Sequence, residues 1–299
     1  MRRSMLGMVG GLVIASFIGL GLGAEHVAAQ PSATPAGTSQ SSRADFERLQ
    51  GFSTIVINHV NDVLGTEQLP VADGGGLEPG MFVTATLEQV QIYDHAVAPL
   101  QQGRLADSTI AAECDSGCPA AFYDAFQRTW LESAVESSAF AVEIPARVLL
   151  AVHRDLPAST LLQIAYAASE TRPVQPPQLS LLVNNTRGSL RAKTFFLVPP
   201  RGLELRQGSA ALGLTIRVGG GTVHVSATDP RFAREHQVDS PAKLQVLLRE
   251  IKKSYPGKET VIVVPEEGAT VGDVMQVVTT VGSAFPRLVL SGGQEVRTP

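Results

Sequence analysis

Two cysteines, Cys114 and Cys118, flank Asp115-Ser116-Gly117. Such a pair can serve as a disulfide, a redox couple or part of a metal site. The C-x-x-x-C spacing is not the thioredoxin type, and two thiols do not complete a zinc site. Gly117 lets so short a loop fold back until the Cα atoms are ~6 Å apart, the separation a disulfide needs. Outside the cytoplasm two cysteines persist best as a disulfide, so a Cys114–Cys118 bridge is expected. It closes too small a loop to hold a domain together and would clip the loop alone. Glu266-Glu267 is the second candidate. Adjacent residues of an extended strand point to opposite faces, which does not bring together the carboxylates of an acid–base pair. A solvated turn is expected there. The six histidines, His26, His59, His95, His153, His224 and His236, are scattered and none pairs with another at metal-ligand spacing.

Leu290-Ser291-Gly292-Gly293-Gln294 spells the signature peptide of ABC ATPases, where a helix N-terminus meets the ATP γ-phosphate. This chain has no G-x-x-x-x-G-K-[ST] loop and five residues follow Gln294, so the match is read as chance. Asn184-Asn185-Thr186 matches a glycosylation sequon and is read as a loop. There is no G-x-S-x-G elbow and no H-E-x-x-H pair. No catalytic residue, metal ligand or cofactor site is assigned, and a non-enzyme is expected.

Composition sets the frame for these residues. The chain has 299 residues, 44% hydrophobic and 17% charged, enough apolar material for a substantial core. A net charge of −4 gives no basic footprint for nucleic acid, and 5% aromatic content argues against a base-stacking platform. Arg outnumbers Lys 19 to 5, a bias that suggests a high-GC bacterial genome. Residues 1–29 read as a targeting segment: Arg2 and Arg3, an uncharged run from Ser4 to Ala24, and the small-residue site Val27-Ala28-Ala29. This is the pattern of a secretory signal peptide cleaved before Gln30. The same run of 21 residues is long enough for a retained membrane anchor, although six of them are Gly. Either reading places the rest of the chain in the periplasm.

Residues 30–43 are rich in Pro, Ser, Thr and Ala and read as a flexible linker. Residues 44–80 read as a helix and a loop. Leu49, Phe52, Val56, Val60, Val63 and Leu64 share one helical face, and Gly74-Gly75-Gly76 centres the loop. Beyond this a pattern is repeated. In residues 199–299, two β-rich runs surround Gly219-Gly220-Gly221, a hairpin signal. Ser240-Pro241 then offers an N-cap with Pro at the first helical position, ahead of Leu244, Leu247, Leu248 and Ile251. A strand at 260–264 follows. Thr270 with Asp273 predicts a capped helix presenting Val271, Val274, Met275, Val278 and Val281, and a last strand covers 287–290. Residues 81–198 show the same order: a β-rich run at 81–90, a helix carrying Phe122, Phe126 and Trp130, a strand at 148–152, a helix at 159–169 and a strand at 178–183. Residues 149–166 align with 261–278 at an offset of 112, placing Asp155 opposite Glu267. The first copy is longer by roughly twenty residues, an insertion holding Cys114 and Cys118. The expected fold is α+β: two tandem β-β-α-β-α-β units, joined near Pro199-Pro200. Each would be a small mixed sheet with two helices on one face, leaving the other face and the strand edges for partners.

The run Val261-Ile262-Val263-Val264-Pro265-Glu266-Glu267, with Val271 to Val278 and Arg287-Leu288-Val289-Leu290, resembles the periplasmic domain of the ExbD/TolR biopolymer-transport family. Residues 148–157 resemble a second, more diverged copy. The likeness spans about 80–184 and 203–293. It implies a non-enzymatic accessory or adaptor of the cell envelope, working beside an ExbB/TolQ-like inner-membrane channel or binding peptidoglycan, with a possible homodimer. That family carries an intramembrane Asp as its proton relay, a costly group in lipid that marks an ion path. Residues 4–24 contain no Asp, Glu, Lys or His, so this chain lacks that relay. Two alternatives stand beside this reading: an unrelated secreted α+β interaction module, and a cell-wall hydrolase whose residues follow no recognised motif.

Overall fold

Two apolar hexapeptides, Arg147–Val152 and Thr260–Pro265, form central strands because the chain supplies covering layers for them. Val148, Leu150 and Val152 enter one core while Leu149 and Ala151 enter another on the opposite face, as period-2 alternation requires. The computed structural model describes residues 38–106, 109–140, 146–172, 175–204, 211–219, 221–228, 232, 235–294 and 296–297. The targeting segment lies outside the described residues. Residues 43–299 form one compact unit.

The elements are α1 (Thr38–Val63), β1 (Met81–Ala85), β2 (Gln89–Ile92), β3 (His95–Gln101), β4 (Arg104–Leu105), α2 (Ala120–Phe140), β5 (Arg147–Val152), α3 (Ala158–Glu170), β6 (Gln178–Asn184), β7 (Leu190–Leu197), β8 (Leu203–Glu204), β9 (Ala211–Gly219), β10 (Thr222–Ser226), β11 (His236–Val238), α4 (Pro241–Ser254), β12 (Thr260–Pro265), α5 (Val271–Val281), β13 (Arg287–Leu290) and β14 (Val296–Arg297). The class is α+β with a mixed sheet, as expected. Twelve strands among the described residues lie in the order β11-β10-β9-β12-β13-β7-β6-β5-β1-β2-β3-β4, and β8 and β14 form a separate parallel pair.

The order β-β-β-α-β-α-β runs from β9 to β13, and from β1 to β6 with the two-residue β4 added before α2. In each half the first strand is parallel to the one after the first helix, and that strand is parallel to the last. Three details differ from the expectation. Each half carries additional strands, β3 and β4 in the first and β11 in the second. The two small sheets are one continuous sheet, because β7 pairs antiparallel with β6 and parallel with β13. The halves are offset by 113 residues, not 112: β5 begins at Arg147 and β12 at Thr260, α3 at Ala158 and α5 at Val271. A one-residue slip exchanges the two faces of a strand. The burial decides the register, since Val148 and Val261 share the main core while Leu149 lies on the other side.

The halves are also joined at their helix starts. The first N–H groups of a helix have no partner within it. Here each helix takes carbonyls from the other's approach loop. Ala158 N donates to Ala269 O at 2.9 Å, Val271 N to Leu156 O at 2.9 Å and Gly272 N to Arg154 O at 2.7 Å. Pro157, at the cap of α3, offers no side-chain acceptor, and this exchange stands in for one. At α5 the expected capping box is present: Thr270 accepts from Asp273 N, and Asp273 accepts from Thr270 N. Ser240 caps α4, with Pro241 at its first turn.

The sheet face opposite α2 and α3 is not free. Val56 and Val60 of α1 pack with Leu69, Phe82, Leu149, Ala151 and Leu182 in a second core that covers it. The helix starts at Thr38, inside the stretch read as linker, since no Pro or Gly interrupts residues 38–50 and propagation adds a hydrogen bond per residue. The side chain of Leu49 lies outside the described residues.

Candidate functional site

The Cys114–Cys118 disulfide is formed, with Cα atoms 5.8 Å apart and both residues buried. Gly117, at φ 68°, supplies the left-handed step that closes the loop. Cys118 O accepts from Ala111 N, and the carboxylate of Glu170, at the end of α3, accepts from Ser116 N at 3.1 Å. The inserted loop is thereby pinned to the α3 terminus.

This loop walls an open trough of about 790 Å³. Its sides come from four places in the first half: Glu113 and Asp115 on the loop, Tyr123 of α2, Tyr166 and Glu170 of α3, and Phe196 with the following Val198-Pro199-Pro200 beyond β7. Phe196 is 58% exposed at the rim. Tyr123 is 8% exposed, and no described residue hydrogen-bonds its hydroxyl. Burial first, then the negative fields of Glu113, Glu170 and Asp124, hold the Tyr123 phenol above its ordinary pKa. Of the carboxylates, Asp115 meets the exposed Arg201 at 3.8 Å and Glu170 holds the loop amide.

Tyr166, in the trough wall, also reaches the Leu290–Gln294 peptide. Ser291 is fully buried. Gln294 Oε1 accepts from Gly292 N at 2.8 Å and from Ser291 Oγ at 3.1 Å. The Tyr166 hydroxyl lies 2.8 Å from both Gln294 Oε1 and Val198 O, and its single proton serves one of them at a time. The ATPase-like spelling is thus a folded loop clamped by a tyrosine of the other half, which leaves its polar groups engaged within the protein.

A second cavity, about 510 Å³, opens where β7 leaves β13, beside Gly74, Gly75 and Gly76. Its polar groups satisfy one another. Arg147 pairs with Glu78 and with Gln178, and Gln178, Thr194 and Ser180 form a hydrogen-bonded row. A Cβ on Gly74 would stand 2.7 Å from Ala192 O, so this one glycine of the three is needed for close approach to β7.

The other residues singled out from sequence lie apart. Glu266 and Glu267 are exposed in a turn. His59 packs edge-on against Phe82, His153 accepts from Asp155 N, and His224 lies 3.7 Å from Glu235. Among the described residues no three His, Cys, Asp or Glu converge on a metal position, and no helix is long and apolar enough to cross a membrane. Asn185 makes an Asx turn, its side chain accepting from Arg187 N and Ser189 N. Sequence reasoning missed Tyr123, Tyr166 and Glu170 as site residues. Tyr166 falls within the helix expected at 159–169, and nothing local to α2 or α3 signals that their ends meet the cysteine loop.

No family model, curated protein or solved structure matches the chain.

Proposed function

We propose that this chain is a non-enzymatic accessory or adaptor protein of the bacterial cell envelope, acting in the periplasm and engaging a partner through the trough. The observation that carries the reading is the disulfide on the trough wall. Such bonds persist in oxidising compartments, and this one fixes the loop that presents Glu113 and Asp115. The export-type N-terminus and the likeness to ExbD/TolR point the same way. Without an acidic residue in 4–24, the role we assign is attachment beside an ExbB/TolQ-like channel rather than proton relay. Both ends of the sheet are short strands, three residues in β11 and two in β4. Short edges limit strand pairing with other chains, so the trough is assigned to the partner ahead of an edge-paired homodimer.

Affinity purification of the full chain from detergent-solubilised envelopes tests this. The expected result is co-purification of an ExbB/TolQ-like membrane protein. Release of soluble fragments from peptidoglycan by the purified chain would overturn the adaptor reading in favour of a hydrolase.

A further inference from the structure

The trough carries a surplus of negative charge beside a phenol that no described residue hydrogen-bonds. Glu113, Asp115 and Glu170 line it, and Arg201, 91% exposed, is the one cation in ion-pair range of these carboxylates among the described residues. Tyr123 is more than nine-tenths buried, yet its hydroxyl has no described partner. The ring is buried while the hydroxyl stays accessible in the trough wall, where a ligand can take a hydrogen bond from it. Tyrosine faces attract cations, most strongly where water is excluded. Phe196, Pro199 and Pro200 add an apolar wall beside the acidic one, and the cavity volume of about 790 Å³ lies within the range of ligand pockets.

We infer that the trough holds a lysine or arginine side chain carried on an extended polypeptide segment, with Tyr123 and the Glu113, Asp115 and Glu170 carboxylates around the cation and Phe196, Pro199 and Pro200 against the flanking residues. This rests on reading the trough as the partner site and adds the chemistry of what enters it. The cation runs past Tyr123 toward the loop carboxylates, and the Tyr123 hydroxyl hydrogen-bonds the segment. The disulfide keeps Glu113 and Asp115 at the rim, so the site forms in the oxidised protein.

The test uses the full chain, oxidised and purified in detergent, with a fluorescein-labelled capped hexapeptide of alternating Lys and Pro. The same peptide with Glu for Lys is the control, and binding is read by fluorescence anisotropy. The Lys peptide is expected to bind, the Glu peptide not, and affinity should fall steadily as salt is raised. A Glu113→Gln, Asp115→Asn, Glu170→Gln variant should bind about tenfold more weakly. If that variant does not fold, Asp115→Asn and Tyr123→Phe replace it, each expected to weaken binding about threefold. Equal binding of the two peptides, or folded variants with unchanged affinity, would overturn the inference. Full competition by spermine at equal concentration would overturn its polypeptide part. Co-purification of the channel-type partner with a negative peptide result would sink this inference alone and leave the adaptor reading standing.

Discussion

Replacing Tyr166 with Phe removes one hydroxyl and keeps the ring, so it isolates the clamp between α3, the strand-end loop and the Leu290–Gln294 peptide. Gln294 Oε1 keeps Gly292 N and Ser291 Oγ as donors. Val198 O, in a fully buried residue, loses the donor that the phenol supplied. A buried acceptor left unmet costs about 1–3 kcal/mol, and in a unit of this size each kcal/mol lowers Tm by about 2–4 °C. The same phenol gives a pH signature. Burial, the largest cause, pushes its pKa from 10.0 up to about 12. The folded state therefore holds the proton where the unfolded chain has released it. This contribution is complete below about pH 10 and is lost as pH rises from 10 to about 12, in total at most on the order of 3 kcal/mol. Urea unfolding followed by the single tryptophan, Trp130, across pH 8 to 12 reads both effects. Tyr166→Phe should be less stable at pH 8, and the two curves should converge toward pH 12. Equal midpoints at pH 8, or parallel alkaline limbs, would refute the clamp.

Three further outcomes follow from the packing. Leu248, 2% exposed on the inner face of α4, should cost ~2–5 kcal/mol as Leu248→Ala, and an unchanged urea midpoint would show the helix face misplaced. Thr270→Ala removes the hydroxyl half of the α5 capping box and should cost about 1 kcal/mol, read by the same unfolding assay. Cys114→Ser with Cys118→Ser opens a loop whose closure contributes about 2 kcal/mol at most. Far-UV circular dichroism should keep its sheet signal while Lys-peptide binding drops, and the wild type, denatured without reductant, should show no free thiol.

Much of the second half was legible because its local signals agree. Ser240-Pro241 starts α4, Thr270 and Asp273 cap α5, and the strand read at 260–264 is β12, which runs one residue further to Pro265. In the first half the missed strands had physical disguises. β3 contains Pro99 and is entered at Tyr93, which takes φ 55° without being Gly or Asn. The β3–β4 turn uses Gln102 at φ 52° ahead of Gly103. β7 places Arg191 and Lys193 among Leu190, Ala192 and Thr194, which breaks the apolar run that marks a buried strand. Its pairing to both halves is a long-range fact that no local pattern contains. The disulfide was readable from spacing and compartment, but the trough was not. It is assembled by α2, α3 and the chain after β7, far apart in sequence.

Photo-crosslinking in living cells is the most direct test of the proposal that a protein partner occupies the trough. A photoreactive phenylalanine analogue is placed at Phe196, on the trough rim, or at Val246, 54% exposed on α4 and outside the trough. A discrete crosslinked protein is expected from position 196, absent from position 246 and lost when Glu113, Asp115 and Glu170 are neutralised. Crosslinks of equal yield from both positions, or none from 196 while 246 gives a discrete product, would contradict it.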